Sequence, residues 1–133
     1  MAEFCATSVG RLQQAPLFRR GWGGDTSNFA VAVARLGGEA GYVCRIGDDG
    51  FGRSFMDLWE EEGVDASRVV VEGNSFTAVY FISLLDGGGH DFTYYRAGSA
   101  ASHYSPGDLD EDYVGGARVL HSSGISLAVS QSL

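Results

Sequence analysis

A chain of 133 residues is the size of one ordinary domain and is long enough to bury a core. Its formal net charge of -8 leaves no Lys/Arg surplus to neutralise phosphates, which argues against a nucleic-acid or anionic-membrane binder. With 44% hydrophobic and 20% charged residues it is globular in composition, and two cysteines, Cys5 and Cys44, are too few for a disulfide framework.

The cysteines read as reduced thiols of a cytoplasmic protein. Met1-Ala2-Glu3 lacks the basic start of a signal peptide, and no apolar run approaches the roughly 20 residues of a membrane span. Residues 1–10 show no clear amphipathic pattern, although Ala2 to Val9 reads as the end of a strand. Leu17-Phe18-Arg19-Arg20, just past Pro16, reads as a short exposed strand. Arg19-Arg20 is either a solvated basic pair or an aid to anion attraction.

Gly23 to Gly47 is the most informative stretch (GGDTSNFAVAVARLGGEAGYVCRIG). A glycine pair allows close approach to the backbone, and the polar run behind it opens a helix with free N–H groups. The helix is predicted over about Thr26 to Leu36, with Asp25, Thr26 or Ser27 as N-cap, Phe29, Val33 and Leu36 as its apolar face, and Ala30 and Ala34 allowing close packing. Gly37 or Gly38 ends it, Tyr42 to Ile46 is a strand, and Gly47-Asp48-Asp49-Gly50 is a turn. A second helix places Phe51, Phe55, Leu58 and Trp59 on one face and ends at Gly63; Glu60-Glu61-Glu62 is a solvated face. Val69-Val70-Val71 is a strand.

Thr77 to Leu85 and Asp91 to Arg96 are rich in β-branched and aromatic residues. With Asp86-Gly87-Gly88-Gly89 between them they form the best hairpin of the chain. A small-residue turn over Ala97 to Ser102, a short helix near Leu109 to Tyr113, a strand over Ala117 to Leu120 and a helix from Ile125 to Leu133 complete the reading. Helices alternating with strands, interrupted by a hairpin, imply an α/β core with a small β excursion. No Gly-Lys-Ser/Thr follows the glycine pair, so it is not a Walker loop, and no G-x-G-x-x-G opens the helix as in a dinucleotide fold. His90, His103 and His121 are scattered and receive no catalytic or metal role.

The spacing of Gly24, Asn28, Ala30, Gly37 and Gly47 resembles the first signature of the ribokinase-type (PfkB) sugar kinases. The Gly-Gly-Asp-Thr-x-Asn form resembles the 2-keto-3-deoxygluconate kinase branch of that family. Arg45-Ile46-Gly47-Asp48-Asp49-Gly50-Phe51-Gly52 resembles the family's strand-to-helix turn and Gly63-Val64-Asp65 its Gly-Val-Asp element, while Tyr94-Tyr95-Arg96 followed by Gly98-Ser99-Ala100-Ala101 resembles the substrate-side strand of that same branch. The resemblance implies an incomplete ribokinase-like three-layer α/β/α domain with a small β-sheet lid over about residues 11–22 and 77–96. It implies that Gly23, Gly24, Asp25 and Asn28 lie against sugar hydroxyls, that Tyr80 and Tyr94 line the sugar, and that Arg96 binds the acid end of the substrate. Asp25 and Asn28 as caps alone, the tyrosines as sheet packing and Arg96 as a solvated charge remain alternatives on the residues themselves.

The implied reaction is phosphoryl transfer from Mg-ATP to 2-keto-3-deoxygluconate, giving its 6-phosphate. ATP and Mg2+ are cofactors implied by the family. The family's second signature, an Asp-Thr-x-Gly-Ala-Gly-Asp run whose last Asp is the general base, does not occur in these residues, and the ATP pocket belongs to the same later half. The expectation is therefore an N-terminal portion of a kinase, inactive by itself, with no catalytic residue of its own. A fructokinase-like kinase, a non-catalytic sugar-binding module and a homodimer through the lid are the alternatives.

Overall fold

The computed structural model describes residues 1–128. Four strands form one mixed sheet: β1 (Ala2–Val9), β2 (Phe18–Trp22), β5 (Val79–Leu84) and β6 (His90–Tyr95), in the order β2-β1-β5-β6. β1 is antiparallel to β2 and parallel to β5, and β5 is antiparallel to β6. β3 (Cys44–Gly47) and β4 (Val69–Glu72) form a separate parallel pair, joined through α2 (Gly50–Glu61) as a β-α-β crossover. α1 (Asp25–Arg35) precedes that unit; α3 (Glu111–Gly115) and the one-turn α4 (Gly124–Leu127) follow it.

The core lies where α1, α2, β3 and the start of β1 meet, at Ala2, Ala30, Ile46, Phe55, Trp59 and Val64. Phe55 and Trp59 are the large side chains of this cluster, 2% and 1% exposed, and lie on the predicted face of α2. The indole N–H of Trp59 donates to Ser27 Oγ at 3.0 Å, so the buried ring leaves no unpaired donor. Asp49 caps α2 by accepting from Gly52 N at 2.7 Å, and Gly63, at φ 70°, closes the far end. Glu60 and Glu61 are exposed, whereas Glu62 ion-pairs with Arg35 at the end of α1.

Three expectations are corrected. The buried residues of α1 are Ser27 and Ala30, with Val31 and Ala34 packed beside them, and not the face of Phe29, Val33 and Leu36. Leu36 is 88% exposed, and Phe29 lies outside the core, stacked on His121. The reason is volume. Trp59 already fills the space beneath α1, so the helix can approach only with small side chains. Second, the α1 N-cap is Gly24, at φ 117°, with no side-chain cap; Asp25, Thr26 and Ser27 lie within the first turn, where the Thr26 and Tyr42 hydroxyls are hydrogen-bonded at 2.8 Å. Third, Ala117–Leu120 forms no strand: among the described residues no neighbouring strand takes up its N–H and C=O groups, and Val119 and Leu120 are 78% and 68% exposed. The helix predicted from Ile125 to Leu133 is seen over Gly124–Leu127 with Ala128 as its C-cap, and residues 129–133 fall outside the described residues.

The hairpin strands and the segment over Phe18–Trp22 do form as read, but β1 runs between them as the centre of the same sheet. No helix among the described residues is long and apolar enough to cross a membrane.

Candidate functional site

Strand alternation sorts the four-stranded sheet into two faces. Register places Glu3 beside Gly21 and Tyr80, and Tyr80 beside Tyr94, so these four positions share one face. Arg96, two residues beyond Tyr94, continues it, with its guanidinium carbon 5.3 Å from the Tyr94 ring centre. The Tyr80 and Tyr94 rings are 5.7 Å apart.

Gly23 meets this face directly. A β-carbon at Gly23 would lie 2.1 Å from the Tyr80 hydroxyl, so only glycine fits there. Two hydrogen bonds with Met1, Gly23 N to Met1 O at 2.9 Å and Met1 N to Gly23 O at 3.0 Å, hold the residue against the start of β1. Gly23, Tyr80, Tyr94 and Arg96 thus form one continuous row, from the buried glycine to a half-buried cation. Gly24 turns the chain into α1 in a backbone conformation that only glycine adopts readily.

Asp25 and Asn28 are the exposed residues of the first turn of α1, and neither side chain hydrogen-bonds to another described residue. The Asn28 backbone N–H bonds to Gly24 O at 2.9 Å. The site residues therefore form two groups: the Gly23–Arg96 row in mutual contact, and the two polar side chains at the head of α1.

Glu3 is a member of this face that sequence reasoning missed. Its carboxylate accepts a hydrogen bond from the Tyr80 hydroxyl. Burial first, and the bond to Glu3 second, push the Tyr80 phenol well above its ordinary range, so it stays protonated and donating. A lone acid inside the apolar run Ala2-Glu3-Phe4-Cys5 is a detectable signal, because a charge on a central strand needs a partner. The signature residue Gly47 has a different basis: a β-carbon there would lie 2.7 Å from Ser75 O and Thr77 N, so it is a packing glycine.

Two concavities lie away from the row. One of about 420 Å3 is bounded by Val9, Leu84, Phe92 and the Asp86–Gly89 turn, further along the same face. The other, about 660 Å3, is lined by Phe51, Phe76, Val79, Phe81 and Tyr95 on the opposite face. Burial pushes the Cys44 thiol up to about 12, so it is protonated at neutral pH.

The profile of the pfkB family of carbohydrate kinases matches residues 1–133. The chain belongs to that family. It is 35% identical over 134 residues to a 2-dehydro-3-deoxygluconokinase of Thermoproteus tenax, covering 99% of this chain and 41% of that protein. It is 38% identical over 128 residues to fructokinase-1 of Oryza sativa subsp. japonica, covering 96% of this chain and 40% of that protein. Among solved structures, a PfkB protein from a Polaromonas species superposes with a TM-score of 0.95 at 34% identity, over 99% of this chain and 45% of the other. A sugar kinase from Pyrococcus horikoshii in complex with ATP superposes with a TM-score of 0.81 at 27% identity, over 89% of this chain and 38% of the other. The chain thus spans about two-fifths of the length of the PfkB relatives it matches, with the same α/β fold over that part.

Proposed function

We propose that this chain is the acceptor-binding part of a PfkB kinase that phosphorylates a sugar acid, 2-keto-3-deoxygluconate, at its terminal hydroxyl with Mg-ATP as donor. The observation that carries the reading is the row Gly23, Tyr80, Tyr94 and Arg96, which ends in a guanidinium. A sugar stacks on aromatic faces and bonds through hydroxyls, and a guanidinium fork matches a carboxylate. Asp25 and Asn28, free to bond outward at the head of α1, supply acceptors and a donor for hydroxyls. Glu3 fixes the Tyr80 hydroxyl and leaves its second oxygen for a substrate hydroxyl.

ATP and its Mg2+ do not fit the residues present. Among the described residues no three His, Cys, Asp or Glu side chains gather to hold a metal ion, and both concavities are lined mainly by apolar residues and glycine. These residues are therefore given the acceptor alone and no step in the transfer of phosphate. The sheet that presents Tyr80 and Tyr94 would act as a lid, excluding water when the sugar is bound.

A fructokinase reading is supported by the 38% identity to fructokinase-1. The two readings part at Arg96, because fructose has no carboxylate. The test is a binding panel of 2-keto-3-deoxygluconate, gluconate and fructose on the wild-type chain and on Arg96→Ala. The sugar-acid reading expects the variant to lose roughly tenfold or more in affinity for the acids and little for fructose. Equal losses on acids and neutral sugars would remove Arg96 from the carboxylate role.

A further inference from the structure

The β5–β6 hairpin joins the rest of the protein through two legs, Ser75–Ala78 leading in and Arg96–Ala100 leading out. The legs are tied to each other: Ala100 N donates to Phe76 O at 2.9 Å and Ser75 Oγ to Gly98 O at 3.4 Å. Ser99 and Ala100 are fully buried at the junction. The incoming leg is also tied to the β3–α2 turn. Thr77 N donates to Asp49 Oδ2 at 2.7 Å, and Gly47 N donates to Thr77 Oγ1 at 3.0 Å. The other oxygen of Asp49 already serves as the α2 cap, accepting from Gly52 N at 2.7 Å. Gly47 and Gly52 permit this closeness; a β-carbon on Gly52 would lie 2.0 Å from Gly47 O.

A helix cap needs one acceptor oxygen. Asp49 uses both, and the second reaches across to the leg that starts β5, three residues before Tyr80. We propose that Asp49 is a positioning residue for the acceptor site: through Thr77 it fixes where β5 begins, and so seats the Tyr80 ring against Gly23 and Glu3. Burial alone would raise the Asp49 carboxyl, but the N–H groups of Thr77 and Gly52 outweigh it and hold the group below its ordinary value. It is therefore a charged acceptor at neutral pH, the form that grips two donors at once. The proposal rests on the sugar-site reading only for its consequence in binding; the seat of Tyr80 is a structural matter measured separately.

Asp49→Ser separates the two roles. Serine is as good an N-cap as aspartate, but its single short hydroxyl cannot cap α2 and also reach Thr77 N. The measurement is the 13C spectrum of ring-labelled tyrosine in the 133-residue chain at neutral pH, with Tyr80→Phe to assign the Tyr80 signal and Ser27→Ala as a control for general destabilisation. Asp49→Ser is expected to shift the Tyr80 signal beyond its linewidth with a melting-temperature loss of no more than about 5 °C. Ser27→Ala is expected to leave the Tyr80 signal in place. On the sugar-site reading, affinity for 2-keto-3-deoxygluconate falls about tenfold in Asp49→Ser. An unshifted Tyr80 signal in Asp49→Ser overturns the proposal, because β1 pairing alone would then seat the ring. Should Asp49→Ser fail to fold, Asp49→Asn, which keeps a cap oxygen and turns an N–H2 toward Thr77 N, is judged by the same signal. Failure of the wild-type chain to bind any sugar, with the Tyr80 shift intact, counts against the sugar-site reading and leaves the positioning role standing.

Discussion

Tyr80 is held from three sides. Its hydroxyl donates to Glu3, its ring packs beside Tyr94, and its edge closes over Gly23. Gly23→Ala should cost about 1–3 kcal/mol through overpacking. Tyr80→Phe should also cost about 1–3 kcal/mol, because the part-buried Glu3 carboxylate loses its donor. The nearest atom to the added methyl is the hydroxyl oxygen, so Tyr80→Phe should relieve part of the Gly23→Ala cost. Denaturant unfolding of the two single variants and the double variant should give a coupling of about 0.5 kcal/mol or more. The need for glycine at position 23 was readable from the glycine pair, but its cause was not, because the clashing hydroxyl comes from a strand 57 positions away in the chain. Charge behaves similarly. Arg45 makes a two-pronged ion pair with Asp108, at 3.1 and 2.5 Å, and this hydrogen bonding holds the Asp108 carboxyl at about 2. The folded value lies below the ordinary aspartate value of about 3.9, so the pair's stabilisation is complete above that value and is lost as pH falls through about 2. Melting temperatures of wild type and Asp108→Asn measured from pH 2 to 7 should differ at neutral pH and converge toward pH 2.

At the scale of elements, the two helices show what residue patterns can and cannot reveal. α2 was legible because its large apolar side chains lie on its buried face: Phe55 and Trp59 are in the core, and Phe51 and Leu58 pack against it. The face of α1 was misread because size ran against burial: Phe29 and Leu36 face outward, while Ser27, bonded to Trp59, and Ala30, one of the two alanines read as close-packing, are the buried residues. Thermal or denaturant unfolding should therefore rank substitutions in an order that an amphipathic reading would invert. Leu36→Ala should change stability by no more than about 0.5 kcal/mol. Ser27→Ala should cost about 1–3 kcal/mol by leaving the buried indole N–H unpaired, and Trp59→Ala about 3–5 kcal/mol. The hairpin was legible because alternation, aromatic content and a glycine turn all agreed, whereas Ala117–Leu120 is a short apolar stretch with no strand beside it among the described residues.

At the scale of the molecule, one mixed sheet carries the row of aromatic residues and the cation, and α1 approaches its end through Gly23–Gly24. The α/β class could be read from element order, but the parallel pairing of β1 with β5 joins segments about 77 residues apart and has no local sequence mark. The relatives are more than twice the length of this chain, and the 133 residues contain no Asp-Thr-x-Gly-Ala-Gly-Asp run. An ATP-coupled assay of these residues alone should accordingly show no phosphorylation of 2-keto-3-deoxygluconate or fructose. Acceptor binding is the activity they are expected to keep. The most direct measurement is amide and side-chain chemical-shift mapping of the labelled chain titrated with 2-keto-3-deoxygluconate in the absence of ATP. Saturable shifts confined to Glu3, Gly23 to Asn28, Tyr80, Tyr94 and Arg96 are the predicted result. Saturable shifts centred on either apolar concavity, with that row unmoved, would contradict it.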